Sequence, residues 1–263
     1  MSTKTVWITG ASSGIGREFA RRYARLGFRL ILTARRRDRL ETLAAELRAK
    51  HGTLCRIVPA DLEQDAQVTA LCEALADEHI DLFINNAGFG ACGAFSETDA
   101  GKELSMLRVN VLAMHRLFKF TLRKMEAQGF GTILNVASSA GLLPGGPYMA
   151  GYYASKAYVV SLTRGVAEEL REQHSPVYVC ALCPGPRGHR VQTTAPMWCS
   201  PLRASPRSSA WRKPMRGMTP PQDHHRAQHP DAPCHHGPEA RSHAPAHAHR
   251  GTPAEKEAGL MAA

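Results

Sequence analysis

Apolar residues in the first 186 positions of the chain follow two alternating rhythms. Short continuous runs, many of them β-branched, lie at Thr5–Thr9, Arg29–Thr33, Cys55–Pro59, Asp81–Asn85, Thr132–Val136 and Val177–Leu182. Such runs predict strands buried on both faces. Between them, Ile15–Leu26, Asp38–Lys50 and Gln67–Glu78 carry apolar residues at three- and four-residue spacing, the period of an amphipathic helix. Two longer stretches, Lys102–Ala127 and Tyr152–Gln173, predict long helices. Strand-helix-strand repetition with short links predicts an α/β fold: a three-layer, Rossmann-type, doubly wound parallel sheet of about six strands.

That rhythm stops after Pro186. Residues 187–263 contain no Phe, Tyr, Ile or Asn, yet hold eleven of the seventeen prolines and nine of the thirteen histidines. A segment with so little apolar surface cannot offset its chain entropy, so the expected organisation is one domain over 1–186 and a disordered basic tail over 187–263. The tail carries eleven Lys/Arg against five Asp/Glu, so +6 of the formal +10 charge sits there. A nucleic-acid reading would rest on the tail alone, and without aromatic platforms beyond Trp198 and Trp211 no specific nucleic-acid partner is expected. His224-His225 and Cys234-His235-His236 lack the spacing of a tetrahedral site, so no metal is expected.

Composition narrows the class further. With 43% hydrophobic residues the chain can bury a core. No apolar run is long enough for a membrane span. The N-terminus enters a strand directly, without the pattern of a secretory leader, and the expected location is the cytoplasm. Seven scattered cysteines show no disulfide or zinc spacing. Cys180 and Cys183 form a C-x-x-C on an apolar strand with no helix of the redox type after it, so they read as buried thiols.

The first strand runs into Thr9-Gly10-Ala11-Ser12-Ser13-Gly14-Ile15-Gly16 and then a helix. Glycines there allow a tight turn and close approach to a pyrophosphate, and the helix N-terminus offers free N–H groups. The position between a strand and a helix at the chain start is the context that a dinucleotide site requires. The second strand ends in Thr33-Ala34-Arg35 with no carboxylate, which favours a 2′-phosphate and therefore NADP(H).

With these residues in view, the chain up to about Pro186 resembles the short-chain dehydrogenases/reductases. Thr9–Gly16 is similar to that family's T-G-x-x-x-G-I-G turn. Asp61-Leu62 resembles its adenine-contacting pair, and Asn85-Asn86-Ala87-Gly88 its N-N-A-G motif. Asn110 matches its helix asparagine, Tyr152-Tyr153-Ala154-Ser155-Lys156 its Y-x-x-x-K, and Pro184-Gly185 its segment beside the nicotinamide. The resemblance implies an NADP(H)-dependent oxidoreductase acting on a small carbonyl or alcohol, and a homodimer paired through the two long helices. It also implies that Lys156 holds the nicotinamide ribose, that Tyr152 passes a proton to or from the substrate oxygen, and that Asn110 supports a water relay through Lys156.

The spacing agrees with that chemistry. Tyr152 and Lys156 lie four apart on a predicted helix and so share a face. A free tyrosine, with a pKa of about 10, is poorly matched to proton transfer at neutral pH, and a nearby ammonium favours its phenolate. The polarising serine is either of two. Counting from the strand end and from Ala140-Gly141 selects Ser138, whereas counting back thirteen from Tyr152 selects Ser139. A loop absorbs an extra residue more easily than a strand end does, which favours Ser138. Phe89, Leu142, Leu143, Tyr148 and Met149 are candidates for an apolar substrate wall.

The resemblance breaks after Cys183-Pro184-Gly185-Pro186. Where the family continues with a threonine-bearing segment, a covering helix and a seventh strand, this chain reads Arg187-Gly188-His189-Arg190-Val191-Gln192. A reading-frame shift would account for the change, and resequencing the coding DNA tests it. Two further readings follow from the altered end: a catalytically impaired dinucleotide-binding protein, and a binder of nucleic acid through its basic tail.

Overall fold

The computed structural model describes residues 3–185. The expected tail over 187–263, with its histidine and cysteine groups, lies outside the described residues. Six strands form one parallel sheet: β1 (Thr5–Thr9), β2 (Arg29–Thr33), β3 (Cys55–Ile57), β4 (Leu82–Asn85), β5 (Gly131–Val136) and β6 (Val177–Leu182), in the order β3-β2-β1-β4-β5-β6. The helices are α1 (Gly14–Arg25), α2 (Arg37–His51), α3 (Asp65–Ala74), α4 (Ala100–Leu107), α5 (Met114–Gln128) and α6 (Ala150–Glu172). The chain reverses its direction of travel across the sheet between β1 and β4, and this is where doubly wound sheets open a crevice at their carboxyl ends.

Alternation along each strand divides the core into two layers. Trp7, Ile31, Phe83 and Ile133 face α3, α5 and α6, packing on Val68, Leu71, Leu117 and Val159. Val6, Ile8, Leu30, Leu32 and Ile84 face α1 and α2, packing on Ala20, Tyr23, Leu40 and Leu47. A helix layer on each face excludes water from the whole strand, so the strands read as continuous apolar runs rather than alternating ones. Trp7 stacks on Phe83 with centroids 4.1 Å apart, and its indole N–H donates to the Thr33 hydroxyl at 3.0 Å. The one polar atom of that large side chain is thereby satisfied inside the sheet.

The predicted elements hold with local differences. The third strand is shorter than Cys55–Pro59, although Val58 N and Ala60 N still donate to Leu32 O and Ala34 O at 3.0 and 3.2 Å. α3 begins and ends earlier than Gln67–Glu78. The stretch expected as one helix over Lys102–Ala127 is α4 and α5 joined by a π-helical turn, Arg108–Ala113. Amphipathic spacing does not reveal such a turn, from which Asn110 projects.

Candidate active site

The residues singled out in the sequence collect at the carboxyl ends of the strands. Gly10 follows β1, Arg35 follows β2, Asp61 follows β3, Asn86 follows β4, Ser138 follows β5 and Pro184 follows β6.

The glycine turn is built by contact. A Cβ on Gly10 would lie 2.8 Å from Asn86 Nδ2, and one on Gly16 would lie 2.4 Å from Gly10 O and 2.6 Å from Asn86 Nδ2. No side chain fits at either position. Gly10 and Gly14 also take left-handed backbone angles, φ 67° and 55°. Ser12 and Ile15 are half-buried and Ser13 is exposed at the helix start. α1 opens there with no side-chain cap and no acidic residue in its first turn. Its leading N–H groups are therefore not capped by a side chain, and no carboxylate opposes an anion there; these residues fit a pyrophosphate.

Thr9 and Asn86 fasten this turn to the next loop. The Thr9 hydroxyl accepts from Asn86 N at 2.9 Å and from Ala87 N at 3.1 Å, while Asn86 Nδ2 donates to Thr9 O at 2.8 Å. Arg35 is exposed past the end of β2, and Asp61 follows Ala60, whose N–H reaches Ala34 O. The Asp61 carboxylate accepts from Glu63 N at 3.1 Å, and Leu62 is buried in the core. Arg35 and Asp61 thus flank one end of the crevice.

The other end holds Tyr152 and Lys156. Lys156 is buried, with 5% of its surface exposed, and its ammonium donates to Val136 O at 3.0 Å. It lies 5.9 Å from the centre of the Tyr152 ring. Burial pulls the lysine down to about 8, and the Cys183 thiol opposes that shift. Cys183 is itself pushed up by burial. Cys180 and Cys183 form no disulfide, and both are buried.

Gly88 and Asn110 complete this end. A Cβ on Gly88 would meet Asn110 Oδ1 at 2.8 Å and Lys156 Nζ at 3.3 Å, so the N-N-A-G loop passes directly over the ammonium. Asn110, 1% exposed, projects from the π-helical turn. Its Oδ1 accepts from Phe89 N at 3.1 Å, and its Nδ2 donates to Phe89 O at 2.8 Å and to the Ser155 hydroxyl at 3.2 Å.

The two serines are placed differently. Ser138 caps the short helical turn Ser139–Leu142, and its hydroxyl oxygen accepts from Ala140 N at 3.2 Å. That bond leaves the hydroxyl proton free to donate. Ser139 N donates to Pro184 O at 2.9 Å, tying the turn to the end of β6. Gly185 beyond it is exposed.

Several polar contacts beneath the site depend on packing that the sequence pattern does not show. Asn85 Nδ2 donates to Met114 O and to Asn135 Oδ1, and Asn135 Nδ2 donates to the Thr163 hydroxyl. This buried chain links β4, β5, α5 and α6 beneath the site. Thr9 and Ser155 stand inside the motifs, but their hydrogen bonds to the loop after β4 and to Asn110 have no local signal in the sequence. No helix of the described residues is long and apolar enough to cross a membrane. No cluster of three or more His, Cys, Asp or Glu suited to a metal occurs among them.

A parallel doubly wound sheet, a glycine turn before an uncapped helix and a crevice at the strand ends define a dinucleotide-binding α/β protein of the Rossmann class. The short chain dehydrogenase family model matches residues 4–197, and this chain belongs to that family. It is 33% identical over 177 residues to a very-long-chain 3-oxoacyl-CoA reductase of Scheffersomyces stipitis, covering 63% of this chain and 51% of the relative. The chain thus spans about half the length of the curated relatives it matches first. Among solved structures it resembles a short-chain dehydrogenase from Sphingobium yanoikuyae in complex with NADPH, with TM-score 0.66 and 37% identity over 70% of this chain and 72% of that one. It also resembles a short chain dehydrogenase/reductase from Burkholderia phymatum in complex with NAD, with TM-score 0.65 and 34% identity over 74% of this chain and 75% of that one.

Proposed function

We propose that this chain is an oxidoreductase that interconverts a carbonyl and an alcohol with a nicotinamide dinucleotide, NADP(H) by preference, and that Tyr152 is its general acid and base. The observation that carries the reading is the buried Lys156 ammonium, set between Val136 O, the Gly88 turn and the Tyr152 ring. When bound, the cofactor supplies or accepts the hydride at the substrate carbon.

The chain's own residues do the rest. The glycine turn and the start of α1 receive the pyrophosphate. Arg35, exposed and without an acidic neighbour in sequence, meets the 2′-phosphate, and Asp61 and Leu62 border the adenine. Asn86, Ala87 and Gly88 carry the backbone across the crevice toward Lys156, and Pro184 and Gly185 border it from β6. Lys156 holds ribose hydroxyls and sets its positive charge 5.9 Å from the centre of the Tyr152 ring. The Ser138 hydroxyl donates to the substrate oxygen as Tyr152 gives its proton, and in the reverse direction Tyr152 takes one. Asn110 has both amide hydrogens and one lone pair committed, so only the other lone pair of its side chain remains for a water relay from Lys156. The same reading pairs two copies through α4, α5 and α6, where Leu104 of α4, Leu112 of the π-helical turn and Tyr158 of α6 are exposed.

The test is NADPH consumption on a panel of ketones by the full chain and by Tyr152→Phe. Loss of the general acid should lower kcat about 10²- to 10⁴-fold with little change in NADPH affinity. Equal rates from the two proteins would refute the assignment of Tyr152.

A further inference from the structure

This inference rests on the carbonyl-reduction reading above and goes on to the kind of carbonyl. We propose that the site selects uncharged ketones with a bulky apolar arm, rejects those with a carboxylate next to the carbonyl, and owes the rejection to Glu103.

A cleft beside Tyr152 is walled by Phe95, Met106, Tyr148 and Met149, and among the described residues Glu103 is the only charged one in its lining. Glu103 comes from α4, is half-buried, and accepts a hydrogen bond from the Thr98 hydroxyl at 2.9 Å. No cation pairs with it among the described residues. A hydroxyl partner orients the carboxylate without neutralising it. An anionic substrate group held at the mouth of this cleft would meet a like charge.

The apolar arm has its own receptor. The space between the walls is about 20 Å³, room for about one water molecule, so substrate bulk cannot sink between them. It must spread over the outer faces of Phe95 and Tyr148, which are 73% and 66% exposed. Tyr148 is held for this. Its backbone takes φ 61°, a left-handed conformation costly for an aromatic residue, and its carbonyl accepts from Gly93 N at 2.8 Å. That bond ties the loop after β4 to the loop before α6, so the two aromatic side chains flank one opening. On the inner side, a Cβ on Gly90 would lie 3.5 Å from the Tyr152 ring and 3.6 Å from the Met149 methyl, so the loop after β4 runs beside that ring.

Two near-isosteric ketones test the proposal: propiophenone, and benzoylformate, which has a carboxylate in place of the ethyl group. The readout is the ratio of their kcat/KM values with NADPH. The full chain should favour propiophenone by about 30-fold, and Glu103→Gln should narrow that ratio by roughly tenfold. Tyr148→Ala should raise the KM for propiophenone about tenfold. A wild-type ratio at or below one overturns the proposal whatever the variants do, and so does an unchanged ratio in a folded Glu103→Gln protein. If neither ketone is turned over, the carbonyl-reduction reading has failed instead. The charge preference is then read by calorimetric binding of the two ketones to the NADP⁺-mixed protein, where benzoylformate binding as tightly as propiophenone overturns it.

Discussion

Asn110 holds both ends of the Phe89 peptide unit, accepting from its N–H at 3.1 Å and donating to its C=O at 2.8 Å. A side-chain amide thus replaces a neighbouring strand for the loop that follows β4. The asparagine reaches that loop because the helix relaxes into a π-helical turn at Arg108–Ala113. The loop in turn sets Gly88 over the Lys156 ammonium.

Asn110→Ala should therefore act on stability and on catalysis together. It strands the Phe89 N–H and C=O, which are partly buried, at a cost of about 1–3 kcal/mol. The chemical-denaturation midpoint should fall, and NADPH-dependent turnover should fall further than that loss of folded protein explains. A variant with unchanged midpoint and rate would show that the loop holds its shape without the asparagine.

Thr9→Val keeps the shape of the side chain and removes the acceptor of two backbone N–H groups, those of Asn86 and Ala87. Each unsatisfied donor costs about 1–3 kcal/mol. Because the threonine joins the glycine turn to the loop after β4, dinucleotide affinity should drop alongside the melting temperature. Thr9→Ser, which restores the hydroxyl, should recover both.

Gly16→Ala places a methyl group 2.4 Å from a backbone oxygen that cannot move away cheaply. Overpacking of this kind costs about 1–3 kcal/mol and displaces the turn. NADPH fluorescence titration should show the loss of binding, while Gly27→Ala, at a position with open space but φ 78°, should affect stability and leave NADPH affinity nearly intact.

Lys156 predicts a pH dependence of stability. Burial lowers it to about 8 in the folded protein, whereas the unfolded chain keeps an ordinary lysine value of about 10.4. Between those values the unfolded state binds more protons than the native one, so the residue's contribution to stability rises with pH across the window and is flat below it. Urea midpoints of the cofactor-free protein and of Lys156→Met should differ by a constant amount up to about pH 8, after which the wild type should gain on the variant. A difference that stays constant from pH 7 to 10 would show that the ammonium is not desolvated.

The layout of the sheet was legible in the sequence because buried strands and amphipathic helices announce themselves by local apolar rhythm. The glycine turn, the asparagine loop and the Tyr152–Lys156 pair were legible because each depends on spacing within a single loop or helical turn. What depends on packing between distant segments was not legible. Amphipathic spacing over 102–127 gave no warning of the π-helical turn, whose anchor is the peptide of Phe89, twenty-one residues away. Asn135 and Thr163 look like unrelated polar residues until β5 and α6 bring them into one hydrogen-bonded chain with Asn85 of β4.

By itself, then, the sequence determined the order of the elements and the chemical groups at their ends, since both follow from short-range pattern. Only the tertiary structure decided the electrostatic setting of those groups. Lys156 is nearly stripped of water and hung from Val136 O because β5 and α6 close over it. Glu103 and Tyr152 line one narrow cleft where the loop after β4 and the loop before α6 are hydrogen-bonded together. Desolvation and charge proximity are properties of the packed whole, and no local stretch of chain encodes them.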